Sequence, residues 1–251
     1  MSDSVTAPEL AVQLYTIREA LRDDAPAALA RLASIGYRDV ELFDMVGFGK
    51  PLADAVAAAG LRAVSAHQPV AGKDVEAVCA AAADFGVRLV IDPWIDPDRW
   101  TTVDDIAGVA GDLAAAATVA ADHGITIGYH NHWFELEHRF DGRTGLEVLA
   151  DRLPPEVILQ LDTYWAAVGG EDPEALLGRL GPRVRALHLK DGPISRDTSL
   201  QVAVGEGAMR FPGIVAAAPT ALRVVELDDT QGDRFEALAR SRDYLVREGL
   251  A

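Results

Sequence analysis

Residues 157–189, "VILQLDTYWAAVGGEDPEALLGRLGPRVRALHL", contain an apolar run, a Leu-rich stretch that ends at a glycine, and a second apolar run. The two apolar runs, "VILQLD" and "VRALHL", have the length and composition of buried strands. The stretch between them, "EDPEALLGRLG", ends at Gly181, a residue type suited to the C-terminal cap of a helix. This order of strand, helix and strand predicts a βαβ unit with two parallel strands.

The same alternation extends over the whole chain. Six more β-rich runs are "ELAVQLYT" (9–16), "YRDVELF" (37–43), "LRAVSAH" (61–67), "VRLVID" (87–92), "ITIGYH" (125–130) and "LRVVEL" (222–227), with Ala/Leu-rich stretches such as "APAALARLASIG" between them. Eight such units in 251 residues predict an α/β fold, a (β/α)₈ TIM barrel that forms a single domain over residues 1–251. The alternative is a doubly wound open sheet. It is disfavoured because "LYTIREALRDD", after the first strand, has no glycine for a phosphate-binding turn.

Composition limits the partners of the protein. The chain has 39 acidic and 23 basic residues, and its formal charge of −16 opposes binding to nucleic acid. Cys79 is the only cysteine, so no disulfide can form within the chain, and its Ala-rich surroundings predict a buried thiol. The N-terminus "MSDSVTAPEL" lacks the pattern of a signal peptide, and no apolar run is long enough to cross a membrane. We expect a cytoplasmic protein without a membrane partner; a homo-oligomer remains one option.

Polar residues are concentrated where the predicted strands end, which is the active-site end of a TIM barrel. They are Gln13, Tyr15, Glu41, His67, Asp92, His130, His132, Asp162, His188, Lys190, Glu226 and Asp228. Side chains alternate along a strand, and in the last three strands the ionisable residues share one parity. The sequence therefore predicts a cluster of ionisable groups in the pore.

A divalent metal ion would resolve the charge conflict in such a cluster. Buried carboxylates without a cation must bind protons or repel one another. Asp162, His188 and Glu226 lie on three successive strands and supply an imidazole and carboxylate set that suits Mn²⁺, Co²⁺, Zn²⁺ or Fe²⁺. The alternative is that each is a singly hydrogen-bonded residue at a strand end, but this is less favoured for three clustered residues. We predict one divalent metal ion per chain.

The chain resembles the xylose isomerase-like TIM barrels, a family that includes sugar epimerases, ketose isomerases, inosose dehydratase and apurinic endonucleases. The resemblance covers essentially the whole chain and depends on "VELF", "SAH", "YHNHWFELE", "LDTYWAAVGGEDP", "HLKDG", "VGEG" and "VELD". In that family Glu, Asp, His and Glu from strands five to eight hold one metal ion. The last three ligands correspond to Asp162, His188 and Glu226.

The first ligand of the family does not correspond directly, because "YHNH" stands where a glutamate is usual. Either His130 replaces that carboxylate, or Glu135 approaches the metal from the following segment. Strand parity favours His130. The resemblance also implies that Glu226 is both a ligand and the catalytic base; Lys190 and Glu135 complete the predicted catalytic set.

Other residues of the cluster suit substrate binding. His67 and Glu41 suit sugar hydroxyls, and neutral His132 suits a hydrogen bond to the substrate or to a metal ligand. Trp165 and Trp133 flank the acidic strand ends and suit stacking on a sugar ring, although packing is an equally good explanation. The expected partner is thus a small carbohydrate.

Lys190 and the "VGEG" segment have two interpretations each. Lys190 either forms a Schiff base as in an aldolase, or stays cationic beside Asp191 and stabilises a developing negative charge on the substrate; the resemblance favours the second. The backbone of "VGEG" (204–207) could bind an anion, but Glu206 opposes a phosphate. We therefore expect an unphosphorylated substrate.

These features lead to one main hypothesis on function and three alternatives. The main hypothesis is a metal-dependent isomerase or epimerase that acts on a sugar or keto-sugar through an enediolate. The histidine at strand five favours, as the first alternative, a dehydratase or lyase acting on an inosose or a 3-keto-glycoside. The second, an apurinic endonuclease, requires more metal ligands and a basic surface. The third, a non-catalytic sugar-binding barrel, would be expected to lack one of the ligands.

Overall fold

Eight strands form where the sequence predicts them, and each pairs with parallel neighbours. The computed structural model describes residues 10–251; Glu9 of the first predicted strand and the N-terminal segment interpreted as lacking a signal peptide lie outside the described residues. The barrel strands are β1 (Leu10–Gln13), β2 (Asp39–Phe43), β3 (Arg62–His67), β4 (Leu89–Asp92), β5 (Thr126–His130), β8 (Ile158–Asp162), β9 (Val184–Leu189) and β10 (Leu222–Val225). A separate antiparallel ribbon consists of β6 (Arg139–Phe140) and β7 (Arg143–Thr144).

The sheet closes on itself. The strand order is β1, β2, β3, β4, β5, β8, β9, β10, and β10 pairs with β1 through Ala11 and Val224. An open doubly wound sheet would leave two unpaired edges, so the predicted (β/α)₈ TIM barrel is confirmed and its alternative is wrong.

Helices cover the outside of the barrel. They are α1 (Arg18–Ile35), α2 (Met45–Ala58), α3 (Val75–Phe85), α4 (Val103–Asp122), α5 (Phe134–Glu137), α6 (Gly145–Arg152), α7 (Thr163–Val168), α8 (Pro173–Leu180), α9 (Phe211–Ala217) and α10 (Arg234–Arg247). The glycine that ends α1, Gly36, has a φ of 109°, a conformation that residues with a side chain rarely adopt. Cys79 is buried in α3, as predicted. No helix within residues 10–251 is long and apolar enough to cross a membrane.

The lumen of the barrel is polar rather than apolar. Gln13 pairs in register with Glu41, Glu41 with Ser65, and Asp162 with His188, so these buried side chains share the inner face. Ile91 and Gly128 pair at an inward-facing position. Asp92 and Tyr129 pair one position further along, so their side chains lie on the outer face of the barrel. The polar strand ends consequently fall into an inner set and an outer set.

Thr144 and Glu147 cap the N-terminus of α6 reciprocally, and their contribution to the stability of the fold can be measured. Glu147 accepts hydrogen bonds from the backbone N–H and hydroxyl of Thr144 at 3.0 and 2.9 Å, and from Arg179 at 2.8 Å. Burial alone would raise the pKa of Glu147, but these donors lower it below the ordinary value of 4.5. Because the folded-state pKa is lowered, the stabilisation is complete above the unfolded pKa. It is lost as the pH falls through the folded value.

We expect Glu147→Gln to lower the free energy of unfolding at neutral pH by about 0.5–2 kcal/mol, the range typical of a lost cap. Urea titration should show that this difference shrinks when the pH is lowered to about 4 and below. Glu236→Gln is the matched control, because Glu236 has the corresponding position in α10. There the cap is the side chain of Asp233, which accepts a hydrogen bond from the backbone N–H of Glu236. A pH-independent loss in Glu147→Gln would contradict the assigned role of its charge.

Candidate active site

A cavity of about 550 Å³ opens at the C-terminal ends of the barrel strands. One half of its wall follows β5, β9 and β10 and carries His130, His132, Lys190, Glu226 and Asp228. The other half follows β1 to β4 and is mainly aromatic and apolar. Five of the predicted ionisable residues therefore line one side of a cavity at the end of the barrel that normally binds the substrate.

Glu41 lies below this cavity as the centre of a buried hydrogen-bond network. Its Oε1 accepts from Gln13 Nε2 at 2.9 Å and lies 2.5 Å from His188 Nε2. Its Oε2 accepts from Ser65 at 2.7 Å and from Gln160 Nε2 at 2.8 Å. With four protein partners and no exposed surface, the carboxylate has no position left for a sugar hydroxyl. The structure therefore does not bring Glu41, predicted to bind substrate, to the cavity, and places it below among residues that it holds by hydrogen bonds.

His188 connects this anchor to the cavity. Its Nδ1 lies 2.8 Å from Glu226 Oε2, while its Nε2 is held by Glu41. Burial opposes protonation of the ring, but the two flanking carboxylates outweigh burial and raise the pKa of His188 to about 10. The contact with His188 also explains the low pKa of Glu41. Burial alone would raise this pKa, but His67 and His188 lower it to about 2. A carboxylate on the far nitrogen is the arrangement that orients metal-binding histidines.

Gln160 fixes which nitrogen of His130 is free. Because Gln160 Nε2 donates to the Glu41 carboxylate, its Oε1 must be the atom that faces the rings of His130 and His67. His130 Nδ1 lies 3.0 Å from that oxygen, so Nδ1 carries the proton. The lone pair of Nε2 then points towards Asp162, whose Oδ2 lies 3.6 Å away. Burial, followed by the charges around it, lowers the pKa of His130 well below its ordinary value, so the ring is neutral.

The two carboxylate oxygens of Asp162 have different partners. Oδ1 accepts from the backbone N–H of Trp165 at 2.8 Å and caps the start of α7. Oδ2 is buried and accepts no well-oriented hydrogen bond, although the Lys190 ammonium lies 3.0 Å away. Burial raises the pKa of Asp162 to about 6 despite the opposing effect of Lys190. Such an oxygen is an unused ligand position.

The donor atoms fit a divalent transition metal ion. One atom each of Asp162, His188 and Glu226 lie within 4.8 Å of one another, and all three residues are buried. His67, His130 and His188 form a second group within the same distance, and His130 Nε2 lies 3.6 Å from Asp162 Oδ2. Imidazole and carboxylate donors of this kind suit such metals. Lys190 now bridges Asp162 Oδ2 and Glu226 Oε2, and it also contacts Asp228 at 2.8 Å. A bound metal ion would compete with the Lys190 ammonium for the carboxylates of Asp162 and Glu226. The ion pair of Lys190 with Asp228 would remain.

Glu135 lies apart from this group. Its Oε1 accepts from the Tyr129 hydroxyl at 2.5 Å and its Oε2 from the backbone N–H of His132 at 2.9 Å. Tyr129 is on the outer face of β5, so Glu135 closes the turn behind that strand. Burial raises the pKa of Glu135 to about 8. The structure therefore does not bring this predicted catalytic residue and alternative ligand to the cavity, because its two donors hold it behind the strand.

We expect a crystal structure of the metal-loaded protein to show His130 Nε2 at about 2.0–2.3 Å from the ion, the distance normal for such bonds. The reason is the fixed proton on Nδ1, which leaves only Nε2 as a ligand. Anomalous diffraction would locate the ion. A Glu135 oxygen in that position, with His130 turned away, would contradict this assignment.

The remaining predicted residues divide into those at the cavity and those behind it. His67 lines the cavity and stacks on His188 at 4.9 Å between ring centroids. His132 also lines it; burial and then Lys190 lower its pKa to about 3, and its Nδ1 is buried without a partner in the described residues. Trp165 and Trp133 pack on each other at 4.8 Å, and Trp165 is fully buried. Packing therefore explains these two tryptophans better than sugar stacking.

Backbone N–H groups of the "VGEG" segment, considered above as a possible anion site, are bonded by a carboxylate of the protein itself. The Asp191 carboxylate accepts backbone N–H groups of Gly192, Gly205, Gly207 and Met209 at 2.9–3.1 Å. A side chain on Gly207 would collide with that carboxylate, which explains the second glycine of the motif. The segment therefore anchors a loop rather than a phosphate.

Two residues near the cavity, Gln160 and Trp94, were not among the predicted site residues. Gln160 determines which nitrogen of His130 carries the proton. Its position two residues before Asp162, on the same face of the strand, was the available signal in the sequence. Trp94 is 47% exposed and lines the cavity, and its backbone N–H is bonded to Asp92 at 3.2 Å. Asp92 also accepts from Val70 and Ala71, so it organises the loops at the mouth. A tryptophan directly after a strand-end aspartate was the available signal for Trp94.

Comparison with known proteins supports the resemblance seen in the sequence. The family model for the xylose isomerase-like TIM barrel matches residues 29–219. A search of curated proteins found no match. A solved structure described as a sugar phosphate isomerase/epimerase from Parabacteroides distasonis ATCC 8503 is 26% identical, with a TM-score of 0.81 over 97% of this chain and 95% of that one.

Two more distant solved structures share the fold. A probable 3-DHS dehydratase, AsbF from Bacillus anthracis, is 12% identical, with a TM-score of 0.72 over 95% of this chain and 98% of that one. The IOLI protein with a bound zinc atom is 15% identical, with a TM-score of 0.73 over 95% and 97% of the two chains. At these identities the likeness establishes the architecture only.

Proposed function

The chain belongs to the xylose isomerase-like TIM barrel family, and on that premise we propose a divalent-metal-dependent enzyme that removes a proton next to the carbonyl group of a carbohydrate. The leading form of the proposal is a sugar or keto-sugar isomerase or epimerase. One observation carries it: Asp162, His188 and Glu226 converge within 4.8 Å at a cavity, with the free nitrogen of His130 beside them. The description of the Parabacteroides protein supports the same chemistry.

The proposed metal ligands are His130, Asp162, His188 and Glu226. When bound, a divalent ion supplies Lewis acidity that polarises neighbouring carbonyl and hydroxyl oxygens and acidifies the carbon between them. The protein holds the ligands in place through Glu41 and Gln160, which fix the rings of His188 and His130. These contacts preorganise the site before substrate arrives.

Glu226 is the proposed base. It lines the cavity, its Oε2 is held by His188 and Lys190, and its Oε1 has no hydrogen-bond donor among residues 10–251. Although burial alone would raise the pKa of Glu226, Lys190 and His188 lower it well below its ordinary value, which makes it a weak base without substrate. A substrate oxygen that draws Lys190 away would restore its basicity at the moment of reaction.

Lys190 is the proposed stabiliser of negative charge on the substrate. Burial alone would lower the pKa of Lys190, but Asp162, Asp228 and Glu226 raise it well above its ordinary value. A Schiff-base mechanism needs a neutral amine, so these carboxylates disfavour it. As a cation, Lys190 can donate hydrogen bonds to the oxygen that becomes negative when the proton is removed.

A dehydratase or lyase is the second proposal, and a specific observation supports it. The fifth strand supplies the neutral imidazole of His130 in place of the carboxylate typical of the family, so the cavity lacks a second glutamate opposite Glu226. Inversion at carbon commonly needs an acid and a base on opposite faces. Elimination of a group at the β position needs only one base on the face from which the proton leaves.

An endonuclease activity is poorly supported. Lys190 is the single lysine or arginine that lines the cavity within the described part of the chain, and the formal charge is −16. A site for a DNA backbone requires several cationic side chains to offset phosphate charge.

The proposal is tested by turnover of a panel of aldoses, ketoses, keto-inositols and 3-keto-glycosides, followed by NMR. Activity should be abolished by a chelator and restored by Mn²⁺, Co²⁺ or Zn²⁺. Interconversion of aldose and ketose or of epimers identifies the first proposal, and loss of water or of an aglycone identifies the second. Turnover that is indifferent to chelation overturns both.

A further inference from the structure

We propose that the half of the cavity next to β1 to β4 binds a second ring attached to the reacting sugar, so that the substrate is an unphosphorylated glycoside. This half consists of Tyr15, Phe43, Pro69, Pro93 and Trp94, together with three polar residues, Asp44, His67 and Gln68. The inference deepens the proposed function, because it names the substrate class of the same cavity, and it rests on that proposal only for the reaction itself.

The aromatic wall is exposed yet rigidly held. Tyr15 and Trp94 are 38% and 47% exposed, so both side chains present apolar surface to solvent at the cavity. The backbone N–H of Tyr15 is bonded by Gln13 at 3.0 Å, and Phe43 packs edge-on against its ring at 5.4 Å. Trp94 is fixed by its bond to Asp92 and by edge contacts with His132 and Phe134. Preorganised aromatic faces favour a planar, apolar ligand surface.

The two halves of the cavity differ in chemistry. The charged half matches a carbonyl and hydroxyl groups, whereas five of the eight residues that line the aromatic half are aromatic residues or prolines. The cavity volume of about 550 Å³ falls within the range of roughly 300–1,000 Å³ that is typical of sites for drug-sized molecules. A single sugar held at Glu226 and Lys190 would leave the aromatic half in contact with water.

Phosphate is disfavoured as the group in this half. Lys190, the one lysine or arginine lining the cavity in the described structure, is already paired with three carboxylates. Arg18 lies over the Tyr15 ring, but its guanidinium is held by the carbonyl groups of Tyr15 and Asp228 and by Glu19. Asp44 and Asp228 also line the cavity and would repel an anion.

Binding of inert glycosides tests the subsite without any turnover. The probes are methyl, phenyl and β-glucosyl derivatives of glucose, galactose, xylose and mannose, with the corresponding sugar phosphates, titrated by calorimetry into the wild-type protein. In at least one sugar series we expect the phenyl or glucosyl derivative to bind roughly tenfold more tightly than the methyl derivative. A phenyl preference indicates an aromatic aglycone, and a glucosyl preference indicates a second sugar.

The variants connect this preference to the aromatic wall. Trp94→Ala and Tyr15→Ala should remove the advantage of the second ring, and Trp94→Phe should restore part of it. Val246→Ala is the control, since Val246 is 49% exposed near the end of α10 and takes no part in the cavity. The inference is overturned if no series prefers the second ring, if the phosphates bind most tightly, or if Trp94→Ala and Tyr15→Ala keep the preference. A ring preference in a protein that fails every turnover assay would support the subsite and count against the proposed function alone.

Discussion

Glu226→Gln is expected to lower kcat by about 10²–10⁴-fold, the loss typical of removing a general base. The amide retains the shape of the carboxylate and can still face His188 and Lys190, but it cannot take a proton from carbon. The measurement is the steady-state rate with whichever keto-sugar the panel identifies, together with the metal content of the same sample. Because Glu226 is also a proposed ligand, the rate is compared at full metal occupancy.

Glu248→Gln serves as the control for this substitution. Glu248 lies at the C-terminal end of α10, where its side chain pairs with Arg247 at 3.1 Å, far from the cavity lining. It should leave kcat unchanged. If metal-loaded Glu226→Gln retained more than about a tenth of the wild-type rate, the base would have to be another group.

Asp162→Asn is expected to reduce metal affinity by at least about 100-fold, beyond the 10–100-fold loss typical of residues that only orient a ligand. The amide can still accept the Trp165 N–H bond that caps α7, so the helix start should remain intact. The negative charge of the unused oxygen, Oδ2, is lost. Elemental analysis and competition with a chromophoric chelator would measure the change from about one ion per chain in the wild type.

Glu135→Gln is the matched control, because Glu135 is an equally buried carboxylate whose partners are Tyr129 and His132. It should retain the metal. Wild-type protein that stays metal-free after loading with Mn²⁺, Co²⁺ and Zn²⁺ would contradict the site. So would loss of metal in Glu135→Gln with retention in Asp162→Asn.

The fold could be predicted because its signals are local. In residues 157–189 the strand composition, the helical stretch and Gly181 each act over a few residues, and the same pattern recurs around the barrel. The strand ends were less certain. Glu226 and Asp228 follow β10 rather than lie on it, since the ladder stops at Val225.

Site residues could be predicted only where the position along a strand determines the face of the barrel on which the side chain lies. Asp162, His188 and Lys190 share the inner parity of their strands, and the structure brings them together with Glu226 as expected. Glu41 and Glu135 could not be assigned from sequence, because their roles depend on donors that lie elsewhere in the chain. Glu41 is surrounded by side chains from β1, β3, β8 and β9, and Glu135 turns back to Tyr129.

The most direct test of the account is exchange of substrate hydrogen with D₂O, followed by NMR. We predict that deuterium enters the product at carbon next to the carbonyl group, or that water or an aglycone is lost, and that a chelator and Glu226→Gln each abolish the reaction. Turnover that survives both treatments, disappears in Lys190→Met and leaves a borohydride-trapped adduct would contradict the metal mechanism and establish a Schiff base at Lys190.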